Sequence, residues 1–139
     1  MNPGSQAKTF HELHAHGRLL RLPNAWDAGS ARLFEAAGAE AIATTSAGLA
    51  WSCGWPDGDA IPPRVLAAAV AAIARVVAVP ISTDAEGGYA SDPNAVAANV
   101  ARLLDAGAVG VNLEDGSDAP DRLCAKIEAV KGAAARAAR

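Results

Sequence analysis

The sequence predicts an α/β fold built from four βα units that follow a short N-terminal helix. Short runs rich in β-branched residues alternate with longer runs rich in Ala and Leu, which is the pattern of strands alternating with helices. The joint at residues 37–42 recurs at 106–111, and in both a glycine ends a helix directly before a strand. Alternating units of this kind require parallel strands joined by right-handed crossovers. All four strands therefore end at one rim of the sheet.

The predicted strands are followed by polar residues. These strands cover residues 19–23, 41–44, 79–83 and 109–113. The polar residues after the last three are Thr45 and Ser46, Asp84 and Glu86, and Glu114 and Asp115. Because functional sites of parallel α/β folds lie at the carboxyl ends of the strands, this rim is the predicted site.

The predicted helices carry recognisable start signals. The first covers residues 30–37, with Leu33 and Phe34 facing the core, and the second runs from Pro63 to about residue 77. Asp92 caps the third helix, along which one apolar stripe runs. The last helix begins after Pro120 and has an apolar face formed by Leu123, Ile127 and Val130.

Length and charge exclude several classes of protein. A chain of 139 residues, of which 51% are hydrophobic, predicts a single domain over residues 1–139. The net charge of -3 removes the basic surface that a nucleic-acid binder needs. No apolar run approaches the roughly 20 residues that span a bilayer, and the N-terminal residues lack the apolar run of a secretory signal. We therefore expect a cytoplasmic protein that binds neither nucleic acid nor membranes.

Four βα units amount to half of a (β/α)₈ barrel of the TIM type, which needs about 250 residues. The chain is therefore predicted to be the N-terminal part of such a barrel, either as a fragment of a longer chain or as a half completed by an obligate partner. A doubly wound open sheet is the alternative. The first βα turn, residues 24–29, argues against it because it lacks the Gly-rich fingerprint that binds phosphate.

Three acids at the predicted rim suggest a metal ion. Asp84, Glu86 and Glu114 follow neighbouring strands, and a concentration of negative charge is costly unless a cation neutralises it. Oxygen ligands without His or Cys indicate Mg²⁺ or Mn²⁺ rather than zinc. The alternative is that these acids are solvated turn residues, with Asp84 and Glu86 opening the turn at Gly87 and Gly88.

Two further segments have both a functional and a structural interpretation. Residues 45–49 place a hydroxyl and several backbone N–H groups just past a strand, which suits a carboxylate or phosphate oxygen, but they also read as an ordinary turn. Residues 50–59 combine glycines, two tryptophans and acids, which is typical of a mobile lid. The alternative is an ordinary surface loop. Asp27 is either catalytic or the N-cap of the first βα helix.

Five motifs that occur in a fixed order along the chain indicate a family resemblance. They are Leu22-Pro23-Asn24-Ala25-Trp26-Asp27, Thr44-Thr45-Ser46-Ala47-Gly48, Trp55-Pro56-Asp57-Gly58, Ser82-Thr83-Asp84-Ala85-Glu86-Gly87-Gly88-Tyr89 and Asn112-Leu113-Glu114-Asp115-Gly116. In this order they resemble the isocitrate lyase/phosphoenolpyruvate mutase superfamily, over about residues 10–116. Members of that superfamily are (β/α)₈ barrels that bind Mg²⁺ and an α-keto acid. They make or break a C–C or C–P bond beside the carbonyl group through an enolate.

The resemblance implies roles for the rim acids. Asp84 would ligate the metal directly and contact the substrate, while Glu86 and Glu114 would hold metal-bound waters. Asp57, in a gating loop, would be a catalytic residue that reaches this cluster on closure. The expected ion is Mg²⁺, with Mn²⁺ as the alternative.

The resemblance also implies how the substrate binds. Ser46, Ala47 and Gly48 match the segment whose hydroxyl and amides hold the substrate carboxylate, with Ser46 as a catalytic group. The expected partner is a small α-keto acid, and the full-length protein is expected to be a homo-oligomer.

The sequence departs from the superfamily pattern in two ways. Isocitrate and methylisocitrate lyases carry a Lys-x-Cys-Gly motif with an acid/base cysteine, but residues 114–118 hold no cysteine. This favours the mutase, phosphonopyruvate hydrolase or oxaloacetate decarboxylase side of the superfamily. The later half of the superfamily's barrel, which includes an arginine that contacts substrate, has no counterpart in this sequence. Activity of the isolated chain is therefore not expected. A non-catalytic half-barrel that needs a partner chain, and another metal-dependent enolate aldolase, are the alternatives.

Overall fold

The computed structural model describes residues 3–15, 17 and 19–137. In these residues the elements are, in chain order, α1 (Pro3–Ala15), β1 (Asn24–Ala25), α2 (Ala28–Ala36), β2 (Ile42–Thr44), α3 (Ser46–Ser52), α4 (Pro63–Ala74), β3 (Ile81–Asp84), α5 (Pro93–Asp105), β4 (Gly110–Asn112) and α6 (Pro120–Ala137). Every strand is followed by a helix, and β2 is followed by two. The predicted alternation is therefore confirmed. None of the described helices has an apolar stretch long enough to cross a membrane.

The four strands of the described residues form one parallel sheet in the order β1-β2-β3-β4. Ile42 of β2 lies beside Ile81 of β3, and Ser82 lies beside Gly110 of β4. A doubly wound sheet reverses its strand order at a switch point, whereas this order follows the chain throughout. The fold is therefore the predicted half of a (β/α)₈ barrel preceded by a short helix, and the doubly wound alternative is wrong.

The hydrophobic core lies between the sheet and the helices that follow its strands. Ile81 and Thr83 are buried whereas Ser82 and Asp84 are half-buried, because successive side chains of a strand point to opposite faces. The register puts Ile42 on the same face as Ile81. These two isoleucines belong to one buried cluster with Leu66, Val70, Ile73 and Leu103 of α4 and α5.

Helix α1 covers part of the opposite face of the sheet, at the end away from the rim. A Cβ atom added to Gly110 would lie 2.7 Å from Cε1 of Phe10, so the ring sits directly on the start of β4. The side-chain amide of Gln6 donates to the backbone oxygen of Ala78 at 3.0 Å. Because Ala78 precedes β3, α1 closes the amino-terminal end of the strands and leaves the rim open.

Two predicted details in the first βα unit are wrong. The strand begins at Asn24 rather than within 19–23, since Pro23 has no N–H group and contributes only its carbonyl oxygen, which accepts from the Ala43 N–H at 3.0 Å. Leu33 is 72% exposed instead of facing the core. Helix α2 starts at Ala28 and buries Ser30 and Ala31. With these two residues on the buried face, Leu33 lies on the exposed side of the helix.

Glu35 connects α2 to the loop that enters β3. One carboxylate oxygen accepts from the backbone N–H of Ala78 at 2.6 Å, and the other accepts from the guanidinium of Arg32. The Ala78 N–H lowers the pKa of Glu35 most, and Arg32 lowers it further. The side chain is only 14% exposed, so this interaction is partly protected from solvent.

We predict that Glu35→Gln lowers the free energy of unfolding by about 1–2 kcal/mol at neutral pH, because it removes a charge-assisted hydrogen bond. A carboxyl group whose pKa is lowered on folding stabilises the fold above its unfolded-state pKa. That stabilisation disappears as the pH falls through the folded-state pKa. Urea unfolding should therefore show a difference between wild type and variant that shrinks in acid.

The matched control for this experiment is Glu128→Gln, at an exposed glutamate of α6. It should leave the unfolding curve unchanged at both pH values. A Glu35→Gln effect of equal size in neutral and acidic solution would contradict the proposed role of the charge.

Candidate functional site

The carboxylate of Asp84, the last residue of β3, joins the ends of three strands. Its Oδ2 accepts from the backbone N–H of Ser46, just after β2, at 3.0 Å. Its Oδ1 accepts from the side-chain amide of Asn112, at the end of β4, at 2.9 Å, and from the N–H of Glu86 at 3.2 Å. The backbone N–H of Asp84 in turn donates to Oγ1 of Thr44 at 3.0 Å. These donors fix the orientation of the carboxylate.

Glu86 is a buried acid, with only 5% of its surface exposed. Its Oε2 accepts from the backbone N–H of Asp59 at 2.6 Å, and its Oε1 accepts from the hydroxyl of Tyr89 at 3.0 Å. Burial, followed by the neighbouring charge of Glu86, raises the pKa of Tyr89 above its ordinary value. The phenol therefore stays protonated and donates to the carboxylate.

Glu114 lies beside Glu86 on the rim, and its side chain is exposed. The backbone N–H of Glu114 donates to the backbone oxygen of Glu86 at 2.9 Å. Both residues line a cavity of about 330 Å³ together with Asp59, Asp115 and Lys126. Asp84 does not line this cavity, but its Oδ1 accepts from the Glu86 N–H at 3.2 Å. The three acids therefore lie at one rim, as expected for parallel strands.

A larger groove of about 580 Å³ lies elsewhere, beside β1 and the start of β2. It is lined by Leu22, Phe34 and Glu40, among others, which precede or flank the strands rather than follow them. It lies at the opposite end of the sheet and shares no residue with the acidic rim.

The loop of residues 53–62 reaches the rim through Asp59 rather than Asp57. Asp57 is exposed, whereas Asp59, with a φ of 57°, donates its N–H to Glu86 and accepts from the N–H of Tyr89 at 3.2 Å. A Cβ atom added to Gly87 would lie 2.6 Å from Oδ2 of Asp59. Glycine at this position is therefore what lets the loop approach so closely.

The segment predicted to bind a substrate carboxylate opens a short helix instead of forming a turn. Ser46, Ala47 and Gly48 make up the start of α3, which continues to Ser52, so the first three residues of the 50–59 segment are helical. Burial of Leu49 and Ala50 explains the helix. The N–H group of Ser46 is taken by Asp84, while those of Ala47 and Gly48 lie in the first turn, where no helical partner exists.

Asp27 is the N-cap of α2. Its Oδ1 accepts from the N–H of Ser30 at 2.6 Å, and the hydroxyl of Ser30 accepts from the N–H of Asp27 at 3.1 Å. The backbone N–H of Ser30 lowers the pKa of Asp27 most, followed by its hydroxyl. This reciprocal capping box accounts for the carboxylate, so Asp27 has the structural role that the sequence offered as one of two interpretations.

Several residues of the site were not assigned a role from the sequence, among them Asn112, Asp59, Tyr89 and Lys126. The Gly-Tyr pair beside Asp84 and Glu86 was part of a recognised motif and could have pointed to Tyr89. Lys126 is buried on α6, and its ammonium donates to the backbone oxygen of Gly87 at 2.8 Å. Position 126 lies three residues after Leu123, on the predicted apolar face of α6, and this spacing could have pointed to its burial.

Comparison with known proteins identifies the family of the chain. The family model described as phosphoenolpyruvate phosphomutase matches residues 10–139. The chain belongs to this family. A crystal structure from Burkholderia cenocepacia, of a protein assigned as a phosphonomutase, is 38% identical to the chain, with a TM-score of 0.90 over 96% of this chain and 57% of that one.

Curated relatives extend the likeness to other members of the superfamily. An uncharacterized protein of Mycobacterium tuberculosis is 42% identical over 127 residues, which are 88% of this chain and 48% of the relative. A Corynebacterium glutamicum protein assigned as a 2-methylisocitrate lyase is 33% identical over 112 residues, which are 81% of this chain and 36% of the relative. The chain thus spans about half, or less, of the length of these relatives, and the resemblance to the isocitrate lyase/phosphoenolpyruvate mutase superfamily is confirmed.

We predict that Gly87→Ala releases the 53–62 loop from the rim. The new methyl group displaces the Asp59 carboxylate, so the Tyr89 N–H loses its partner. Hydrogen–deuterium exchange should become faster at Tyr89 and across residues 53–62, while the strands keep their protection.

Gly29→Ala is the matched control, because a Cβ at that position makes only an ordinary contact of 3.5 Å with Asp27 and helix α2 gains a better helix former. Its exchange in the loop should equal that of wild type. Unchanged exchange in Gly87→Ala as well would mean that the loop does not depend on this close approach.

Proposed function

We propose that this chain supplies the metal-binding part of an enzyme site that breaks or rearranges a C–C or C–P bond next to the carbonyl group of an α-keto acid. The observation that carries the proposal is the Asp84 carboxylate, which donors from the ends of β2 and β4 hold in one orientation. Membership of the phosphoenolpyruvate mutase family supports the class of reaction. The activity proposed is that of the whole protein.

The donors at the rim fit a hydrated Mg²⁺ ion, with Mn²⁺ as the alternative. Asp84, Glu86 and Glu114 offer only oxygen atoms, and no His or Cys lines the cavity. Within the described residues, no group of three or more His, Cys, Asp or Glu side chains converges closely enough to hold an ion directly. Mg²⁺ needs no such group, because it keeps several waters and uses one or two carboxylates. We therefore assign direct ligation to Asp84 and water-mediated contacts to Glu86 and Glu114.

When bound, the ion supplies a Lewis acid that favours negative charge on the keto oxygen of the substrate. The protein's own contribution is to hold the carboxylates in place before the substrate arrives. Asp84 accepts three hydrogen bonds and Glu86 accepts two, so neither needs to reorient. Such preorganisation is the largest protein contribution in many enzymes that stabilise developing charge.

The start of α3 is proposed to bind the substrate carboxylate. The N–H of Ser46 lies 3.0 Å from Asp84, so the amides of Ala47 and Gly48 adjoin the proposed metal ligand. A Cβ on Gly48 would lie 2.8 Å from Cγ2 of Thr45, and glycine therefore keeps the backbone open. A keto acid bound here by its carboxylate would present its carbonyl oxygen towards the ion that Asp84 is proposed to hold, with the hydroxyl of Ser46 as the catalytic group beside it.

The 53–62 loop is proposed to exclude water and to bring Asp57 to the substrate. Asp59 already fastens the loop to Glu86, and Asp57 lies two residues before it in the exposed part of the loop. Closure of such a loop protects a charge-separated intermediate from stray protonation. The proposed role of Asp57 is catalytic and is realised only with substrate bound.

The segment after β4 favours one side of the superfamily. Residues 114–118 contain no cysteine, so the acid/base thiol associated with isocitrate and methylisocitrate lyases has no counterpart there. We propose mutase, phosphonopyruvate hydrolase or oxaloacetate decarboxylase chemistry, which does not need that thiol.

The metal assignment predicts that Asp84→Asn weakens binding of Mn²⁺ at least about tenfold, because it replaces the proposed direct ligand by a neutral amide. Titration followed by electron paramagnetic resonance of free Mn²⁺ measures the affinity without any substrate. Asp105→Asn, at the end of α5 far from the rim, is the control and should bind as wild type does. Equal affinity of Asp84→Asn and wild type would overturn the assignment.

The reaction class predicts turnover of oxaloacetate or phosphonopyruvate by the whole protein in the presence of Mg²⁺. Pyruvate release reports decarboxylation of oxaloacetate or hydrolysis of phosphonopyruvate, and formation of phosphoenolpyruvate reports the mutase rearrangement. EDTA should stop each reaction. Asp57→Asn should lower kcat at least about tenfold with little change in Mn²⁺ affinity, because Asp57 is proposed to act on the bound substrate. Cleavage of hydroxy-keto acids with neither of these substrates consumed would instead indicate an aldolase.

A further inference from the structure

Lys126 is a buried cation that the proposed reaction does not use. It is 4% exposed, although it lies in the middle of α6 between Ala125 and Ile127. Lysine is almost never fully buried unless its charge is paired. Lys131, on the same helix, is exposed, so burial is a property of the position and not of the helix.

The ammonium group of Lys126 contacts two different loops of the rim. It donates to the backbone oxygen of Gly87 at 2.8 Å and to Oδ2 of Asp118 at 3.4 Å. Gly87 directly follows Glu86, and Asp118 closes the segment that begins at Glu114. Lys126 therefore ties together the two loops that carry the proposed water-mediated metal contacts.

Two backbone hydrogen bonds already join the same segments close to the acids. The Ala85 N–H donates to the Asn112 oxygen at 3.1 Å, and the Glu114 N–H donates to the Glu86 oxygen at 2.9 Å. Both bonds lie where the loops leave the strands. Lys126 adds an attachment further along the loops, at Gly87 and Asp118, beside the cavity that Glu86 and Glu114 line.

The charge of Lys126 has two opposed electrostatic effects at this place. It offsets the carboxylates that line the same cavity, which are those of Asp59, Glu86, Glu114, Asp115 and Asp118. It would also repel a divalent cation bound there. The lysine therefore works against cation binding by its charge and in favour of it by its hydrogen bonds. The direction in which metal affinity changes when Lys126 is replaced therefore shows which effect is larger.

We propose that Lys126 is a positioning residue of the metal site, which holds the loops after β3 and β4 so that Glu86 and Glu114 face one cavity. The inference rests on the proposed function, since it concerns affinity for the same ion. Outer-sphere groups of this kind commonly contribute ten- to a hundredfold to metal affinity.

The test is the Mn²⁺ affinity of Lys126→Met in the full chain. Loss of positioning should weaken binding about tenfold or more, whereas loss of a repelling charge would strengthen it. Lys131→Met, with the same change at the exposed lysine of α6, should bind as wild type does. Affinity of Lys126→Met equal to or tighter than that of wild type would overturn the proposal.

Two further measurements separate positioning from general damage to the fold. Lys126→Arg keeps a charged donor, and its Mn²⁺ affinity should lie closer to wild type than to Lys126→Met. Hydrogen–deuterium exchange without metal should become faster at residues 86–89 and 114–118 of Lys126→Met while β2 and β3 stay protected. If Lys126→Met does not fold, the shorter neutral donor of Lys126→Gln replaces it, with the same expected weakening and loop exchange.

The failure of this inference differs from failure of the proposed function. A wild-type chain that binds no Mn²⁺ would overturn the metal site itself, and the exchange experiment would then decide separately whether Lys126 joins the two loops. Binding by wild type together with undiminished binding by Lys126→Met would leave the metal site intact and remove only the role of Lys126.

Discussion

The arrangement of the rim depends on the hydrogen bonds of one carboxylate, that of Asp84. It is an acceptor placed at the end of a central strand, and two of its donors come from the ends of the neighbouring strands, Ser46 directly after β2 and Asn112 at the end of β4. A half-buried negative charge is costly unless it is hydrogen-bonded, so Ser46 and Asn112 must stay within reach of it. This requirement keeps the ends of β2, β3 and β4 level with one another.

The other charges of the rim follow from that alignment. Because β3 and β4 end level, the backbone oxygen of Glu86 can accept a hydrogen bond from the Glu114 N–H. The buried Glu86 carboxylate accepts hydrogen bonds from the Asp59 N–H and the Tyr89 hydroxyl. Lys126 approaches the turn after β3 from α6. The acids are therefore held by a framework that draws on four separate segments of the chain. Glu114 and Asp115, by contrast, are exposed to solvent.

Much of this arrangement could be read from the sequence, and the rest could not, for physical reasons. Strand and helix periodicity is local, so the βα order and the meeting of Asp84, Glu86 and Glu114 at one rim were predictable. The role of Lys126 depends on Gly87, 39 positions away, and the role of Asp59 depends on Glu86, 27 positions away. Helix α3 was missed because its glycine and polar residues resemble a turn, and only the tertiary burial of Leu49 reveals it.

The packing of Phe10 on Gly110 couples helix α1 to the sheet. A side chain at position 110 would overlap the ring, since an added Cβ atom would lie 2.7 Å from Cε1 of Phe10. A larger residue there would therefore push α1 away from the start of β4. Glycine at this position is what allows the N-terminal helix to lie against the strands.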